Sequence, residues 1–368
     1  MKSLALCLLL FVSFSSGAAP AQTTQAKNDL EKSGLAGRVK TLEMGQIEYA
    51  FRDGRSVESR RVPILKTTYD EQGRKVEQVS YNQSGAPSQR LVYTFDAAGR
   101  STGYEEYNGV VDRNLGTPRR HVYTLDDAGR TTEYVVYDSD GKVASRFVYT
   151  YDPEGHKTEE AFYSWQGKRT SRLVYTYDAR GNVLTQTSYD ADDAVSWKRV
   201  NVYDPSGQKS EAAHYEGETL RYRFFYKYDA KGRVKEQETR EFNPVPNVIV
   251  SHAPEPGKVV YTYDDRKRTK EVATYNEYGT LKSRLLYAFD EKGNDAGVME
   301  LNADGSPQRR EIHWYDKQVL TRTLTGTPSV EFVYDPRGNW TRRTLLLKPT
   351  DAERPEPYWA EYREIVYH

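Results

Sequence analysis

The chain of 368 residues carries 53 basic and 53 acidic side chains, so its formal net charge is zero and gives no electrostatic case for nucleic acid or an anionic membrane surface. Charged residues make up 29% of it while tyrosine alone numbers 30, which argues against disorder and suits strands with one wet face and one aromatic face. The single cysteine, Cys7, lies in the apolar start of the chain, which excludes disulfides, a thiolate catalyst and a Cys-metal site from everything after it.

Lys2 gives a short basic start, Leu4 to Phe14 is an apolar run, and Ala19-Pro20-Ala21 supplies small residues at the positions a signal peptidase reads. This pattern predicts a secretory signal peptide over residues 1–21. The apolar run is too short to cross ~30 Å of hydrocarbon as a helix. The expected location is therefore outside the cytoplasm, periplasmic or extracellular. Residues 22–62 read as a lead-in with N-terminal capping strands.

From there an aromatic residue followed by Asp, usually with Gly three residues later, returns at a nearly fixed interval. Its stations begin at Tyr69-Asp70, Phe95-Asp96, Leu125-Asp126, Tyr151-Asp152, Tyr177-Asp178, Tyr203-Asp204 and Tyr228-Asp229. They continue at Tyr263-Asp264, Phe289-Asp290, Tyr315-Asp316 and Tyr334-Asp335. Most neighbours are 26 residues apart, and a fixed period of this size marks a repeat array. A second aromatic station follows twelve residues later, as at Tyr81, Tyr107, Tyr137, Tyr163 and Tyr189, again with turn residues behind it. Each unit is thus two strands joined by short turns.

In Asp70-Glu71-Gln72-Gly73 the Asp side chain is placed to accept backbone N–H groups, and the Gly to take a positive φ; four-residue loops built on a type I turn are the natural host. Within Arg172-Leu173-Val174-Tyr175-Thr176-Tyr177, alternation puts Leu173, Tyr175 and Tyr177 on one face and Arg172, Val174 and Thr176 on the other. Glu recurs four residues after the turn Gly at Glu77, Glu133, Glu159, Glu211 and Glu236, with Glu271 at the matching offset. A basic residue recurs five residues before the aromatic-Asp pair. Such rows are expected to pair across strands on the wet face. The predicted fold is all-β: tandem hairpin repeats over 63–347 forming one long, coiled antiparallel sheet (spiral, arc or partial shell), since twist accumulates at roughly 20–25° per strand. Residues 348–368 read as a C-terminal capping strand.

The motif in Tyr175-Thr176-Tyr177-Asp178-Ala179-Arg180-Gly181-Asn182, matched at Tyr334-Asp335-Pro336-Arg337-Gly338-Asn339, resembles the YD repeats of the Rhs family. The resemblance covers about Pro63 to Leu347. It implies a long spiralling β-sheet, which in large members forms a hollow shell around a C-terminal toxin released by self-cleavage. This chain is shorter, only about thirty residues follow Gly338, and no self-cleaving motif is evident. A short, secreted member without a toxin domain is what the resemblance implies. A looser resemblance is to MORN-like repeats, whose units are shorter.

A residue present in every unit is more readily structural than catalytic, so the Asp and Glu rows are read as structural. Asp138-Ser139-Asp140-Gly141 and Asp190-Ala191-Asp192-Asp193 lack the downstream Glu of a calcium loop and read as turns. The histidines show neither metal-ligand spacing nor a triad context. No metal, cofactor or enzymatic activity is expected. Departures from the period are the better candidates. Trp165 sits at a turn tip and, with Trp197 on a nearby unit, is placed to offer a stacking platform for a sugar or protein. A Pro-rich insertion over 243–257 contains His252, the third candidate binding residue, and a smaller bulge spans 108–118.

These readings predict an exported, non-catalytic repeat scaffold binding a protein or carbohydrate partner at the cell envelope. The alternatives are a hydrolase of cell-wall or surface polymers, which would need non-repeating acids converging in a pocket, and an immunity or delivery partner of a toxin. Membrane insertion as a barrel is not expected, because Gly232 to Arg240 offers no apolar face on either parity.

Overall fold

The computed structural model describes residues 28–53, 55–109, 117–244, 254–289, 293, 295–308, 310–316, 319–349 and 354–368. The signal-type segment, His252 and the centres of both irregular loops lie outside the described residues.

One short helix, α1 (Asp29–Lys32), precedes the sheet. Asn28 and Glu31 cap it reciprocally, the Asn28 side chain accepting the Glu31 amide and the Glu31 carboxylate accepting the Asn28 amide. A long first hairpin follows, β1 (Val39–Arg52) and β2 (Arg55–Tyr69). The array then runs through β3 (Lys75–Tyr81), β4 (Pro87–Phe95), β5 (Ser101–Asn108), β6 (Arg119–Leu125), β7 (Thr131–Tyr137), β8 (Val143–Tyr151) and β9 (Lys157–Ser164). It continues with β10 (Arg169–Tyr177), β11 (Val183–Tyr189), β12 (Val195–Tyr203), β13 (Lys209–Glu216), β14 (Thr219–Tyr228), β15 (Val234–Glu241), β16 (Gly257–Asp264), β17 (Thr269–Asn276) and β18 (Leu281–Phe289). Last come β19 (Asp295–Glu300), β20 (Arg310–Asp316), β21 (Val319–Tyr334), β22 (Trp340–Pro349) and β23 (Glu356–Tyr367).

All 23 strands belong to one sheet, as the repeat predicts. Sequence neighbours pair antiparallel throughout, with one exception: no ladder joins β19 to β20 among the described residues. Instead the first and last strands pair, from Val39↔Tyr367 to Glu48↔Trp359. The first and last strands therefore lie side by side inside the sheet, and among the described residues the strands without a second ladder are β19 and β20. These edges approach at one corner, where Leu301 bridges Pro307 and the Gln308 amide donates to the Glu300 carbonyl at 2.8 Å.

The parity of this arrangement has a physical meaning. Strand direction alternates along a purely antiparallel ladder, so with an odd number of strands the two edges point the same way. An antiparallel barrel closes with an even count. The 23 strands leave the sheet open between β19 and β20.

Among the described residues burial is not gathered in one central core. Their largest fully buried side chains are Ile47, Leu347 and Val39, all beside the β22–β23–β1 seam. One apolar cluster joins Leu30, Leu35, Val39, Leu42 and Tyr69, with Met44, Ile365 and Tyr367 packed on it; a second joins Ile47, Ala360 and Tyr362. Along the repeats most side chains are half-buried, as expected of a single layer with both faces reachable.

Candidate functional site on the aromatic face

The aromatic-Asp stations hold the turns. The Asp70 amide donates to the Arg74 carbonyl and the Gly73 amide to the Asp70 carbonyl, both at 3.0 Å. Oδ1 of Asp70 accepts the Gln72 and Arg74 amides at 3.0 and 2.9 Å, and Oδ2 takes Arg74 Nε at 2.6 Å. Gly73 stands at φ 77°, where a Cβ would be strained. The ladder shifts by one residue between Thr68 and Tyr69, so the loop is a turn plus a glycine bulge, with three residues between its closing pair rather than four. The same device recurs at Asp126, Asp178 and Asp229. Asp138 and Asp190 also accept turn amides, in keeping with their reading as turns.

Five of the tyrosine stations are also tied to the unit before them. The phenol of Tyr151 donates to the Thr131 carbonyl at 2.7 Å, Tyr177 to Lys157 at 2.6 Å, Tyr203 to Val183 at 3.0 Å, Tyr228 to Lys209 at 2.8 Å and Tyr263 to Val234 at 2.9 Å. The residue after the turn Gly completes the link by lying on the next station's ring. Arg74 covers Phe95, Arg130 covers Tyr151, Arg233 covers Tyr263, and His156 stacks on Tyr177.

The expected charge rows form on the opposite face. Arg90 pairs with Glu77 at 2.5 Å, Arg172 with Glu159 at 3.3 Å, Arg223 with Glu211 at 3.1 Å, Arg284 with Glu271 at 2.7 Å, and Arg146 with Glu133. Glu236 departs from the row and takes Lys227 at 2.6 Å. Three of these arginines also cover the second-station tyrosine across the strand, Arg90 on Tyr107, Arg146 on Tyr163 and Arg172 on Tyr189. In these ion pairs the Glu carboxylates are held by basic side chains. Among the described residues no three His, Cys, Asp or Glu side chains gather as a metal cluster.

What remains for a ligand is the aromatic face. Across β4 to β9 one ring per strand forms a continuous strip. Tyr93 meets Tyr104 at 5.9 Å between ring centres, Tyr104 stacks on His121 at 4.1 Å, and His121 on Tyr134 at 5.9 Å. Tyr134 then stacks on Phe147 at 5.4 Å, and Phe147 meets Phe162 at 4.8 Å. His121, only 7% exposed, is fixed from both ends: Nδ1 lies 2.6 Å from the Tyr134 hydroxyl and Nε2 3.1 Å from the Glu106 carboxylate. Burial pushes the Glu106 carboxyl up, but bonds from Asn108 and His121 outweigh it and leave the group below its usual range. An ionised Glu106 can only accept, so Nε2 carries the proton and Nδ1 accepts from Tyr134 when the ring is neutral. Burial raises the phenols of Tyr93, Tyr104, Tyr123, Tyr149, Tyr175, Tyr226 and Tyr261, which stay neutral hydrogen-bond donors in ordinary conditions.

Trp165 is at the β9–β10 turn and 69% exposed. Trp197 stands apart from it, on β12, with its ring 5.9 Å from His214. No ring contact joins the two tryptophans among the described residues. Spacing alone did not single out the β4–β9 strip. Its trace in the sequence is His121, which stands four residues before a station, where sister units carry Leu91, Phe147 or Leu173.

No family model matches this chain, and no curated protein matches it. Among solved structures, a porin-like protein from Bacteroides uniformis is 10% identical, with 90% of this chain and 99% of that chain covered and a TM-score of 0.23. A TcdB2-TccC3-TEV structure is 12% identical over 89% of this chain and 24% of that one, with a TM-score of 0.18. TcdB2-TccC3 without its hypervariable C-terminal region is 14% identical over 86% and 21%, at 0.19. This chain thus spans about a quarter or less of the TcdB2-TccC3 chains. At such TM-scores the whole architectures do not superpose.

Proposed function

We propose that this chain is an exported, non-catalytic scaffold of YD repeats, related to the Rhs type, that binds carbohydrate at the cell envelope through its aromatic face. The observation that carries this reading is the unbroken strip of six rings from Tyr93 to Phe162, one on each of β4 to β9. Flat rings at successive strand spacings suit the apolar faces of consecutive sugar rings, and neutral phenols between them suit hydroxyl groups. The signal-type start supports export, and the station turns and their tyrosine ties support the YD-repeat assignment. The half-exposed ion-pair rows on the opposite face favour water there rather than lipid.

Titration calorimetry with neutral cell-wall oligosaccharides tests the reading. Tyr104→Ala should weaken binding about tenfold, the size expected for losing one central aromatic contact. Trp165→Ala, at the exposed turn, should leave it unchanged. Binding that ignores Tyr104 would refute the strip as the site, and turnover of the oligosaccharide would point to the hydrolase alternative.

A further inference from the structure

The repeat supplies its own control, because the β12–β13 unit can be laid over the β8–β9 unit by a shift of 52 residues. On the aromatic face of β8–β9 stand Phe147, Tyr149, Glu160 and Phe162, with Lys157 held by Glu160 at 2.8 Å and lying over the rings of Tyr149 and Tyr175. The corresponding residues in β12–β13 are Arg199, Asn201, Ala212 and His214, with Lys209 in place of Lys157. Three benzene rings and one acid are gone. A guanidinium, a carboxamide, a methyl and an imidazole replace them.

The strands place these residues together. Arg199 lies directly across from His214, Asn201 from Ala212, and Tyr203 from Lys209. Arg199 covers the Phe224 ring at 5.4 Å and bonds the Tyr226 hydroxyl. Neither Arg199 nor Lys209 has an ion-pair partner among the described residues. Arg199 Nε is buried without a hydrogen-bond partner there, while Asn201 donates its Nδ2 to the Val183 carbonyl at 2.8 Å. Arg199 is felt by both neighbours: burial and then Arg199 lower the Lys209 ammonium, and burial, Arg199 and Arg221 lower His214 against the pull of Glu216. Half-buried cations left without counter-charge favour a ligand that supplies it.

We infer that Arg199, Lys209 and His214 form an oxyanion site on the aromatic face, which takes a carboxylate or phosphate carried on a sugar ring, with Phe224 and Tyr226 as its shelf. The inference rests on the reading of this face as a saccharide surface and adds the charge of the ligand. Arg199 offers a planar fork to the oxyanion and Lys209 a point charge, and the carboxylate that Glu160 supplies in the sister unit is replaced by the methyl of Ala212.

The test compares the natural chain with one carrying Arg199→Phe, Asn201→Tyr, Ala212→Glu and His214→Phe. That set already exists in β8–β9, so the variant should fold, with an unchanged or higher melting temperature. Calorimetry would use an oligogalacturonate, a mannose phosphate and a neutral galactan oligomer at low and high salt. The expected result is a preference for acidic ligands that falls about tenfold or more in the variant and weakens with salt, while neutral binding holds. Loss of one acidic ligand alone would identify whether the site takes carboxylate or phosphate, and supports it in either case. An acidic preference unchanged in the variant would overturn the oxyanion site and leave the saccharide face standing. Failure of every saccharide to bind the natural chain would overturn both.

Discussion

At Asp178 a single carboxylate accepts the Arg180 and Asn182 amides, each at 2.9 Å, and the Asn182 side chain at 3.0 Å. Its acidity is raised chiefly by the Asn182 side chain and amide, and that of Asp96 by the Arg100 amide and guanidinium. Asp126, Asp204 and Asp229 shift the same way. A folded value below the unfolded one means a contribution present above the ordinary carboxylate value of 3.8 and lost as pH falls through the folded values. The phenols behave oppositely: folded values above 10.0 keep their contribution below that pH and lose it as pH rises further. Melting temperature should therefore fall at both extremes, and simultaneous phenol absorbance should place the alkaline loss on the tyrosines. Tyr177→Phe removes one tie to the neighbouring unit and should cost about 1 kcal/mol in denaturant unfolding. Hydrogen exchange should then rise around Lys157. These turns were readable from the sequence because every partner of Asp178 lies within four residues of it.

An element's worth of context is needed for the next layer. Gly103 on β5 lies against β6, and a Cβ there would come within 1.9 Å of the His121 carbonyl oxygen. Its φ of 147° is also one that residues with a Cβ rarely adopt. Gly103→Ala should consequently push β5 and β6 apart, shift the His121 ring off Tyr104, and weaken oligosaccharide binding without touching a sugar. A crystal structure of the variant with β5–β6 unmoved would contradict this. The position of His121 was legible only as a departure from the Leu or Phe of sister strands. The same comparison, carried across β12, would have exposed Arg199 and Asn201. Trp165 stood out by its place at a turn tip and Trp197 by lying on a nearby unit, but the Trp197 ring meets His214, since strand register and not proximity in sequence decides which rings touch.

For the whole molecule, the informative contact is the one between the first and last strands. Ala36 and Asn339 exchange two hydrogen bonds of 2.8 Å across 303 residues of chain, beside the buried Val39. Nothing local predicts such a pairing, because β1 and β23 carry no station and no turn that names a partner. Ile47→Ala or Leu347→Ala should cost about 2–5 kcal/mol, as truncations in a packed core do. Leu173→Ala, in the half-buried array, should cost less, and the difference should appear as separate transitions in a calorimetric scan. An open row of repeats can gain or lose a unit at little cost, since each unit answers only to its neighbours. This sheet is tied twice, by the β1–β23 ladder and by the short connection from Glu300 to Arg310. Removing or inserting a two-strand unit should therefore strain one tie or the other, and a melting temperature unchanged in such a variant would contradict this. The seam would then act as a counter of the units between its two strands.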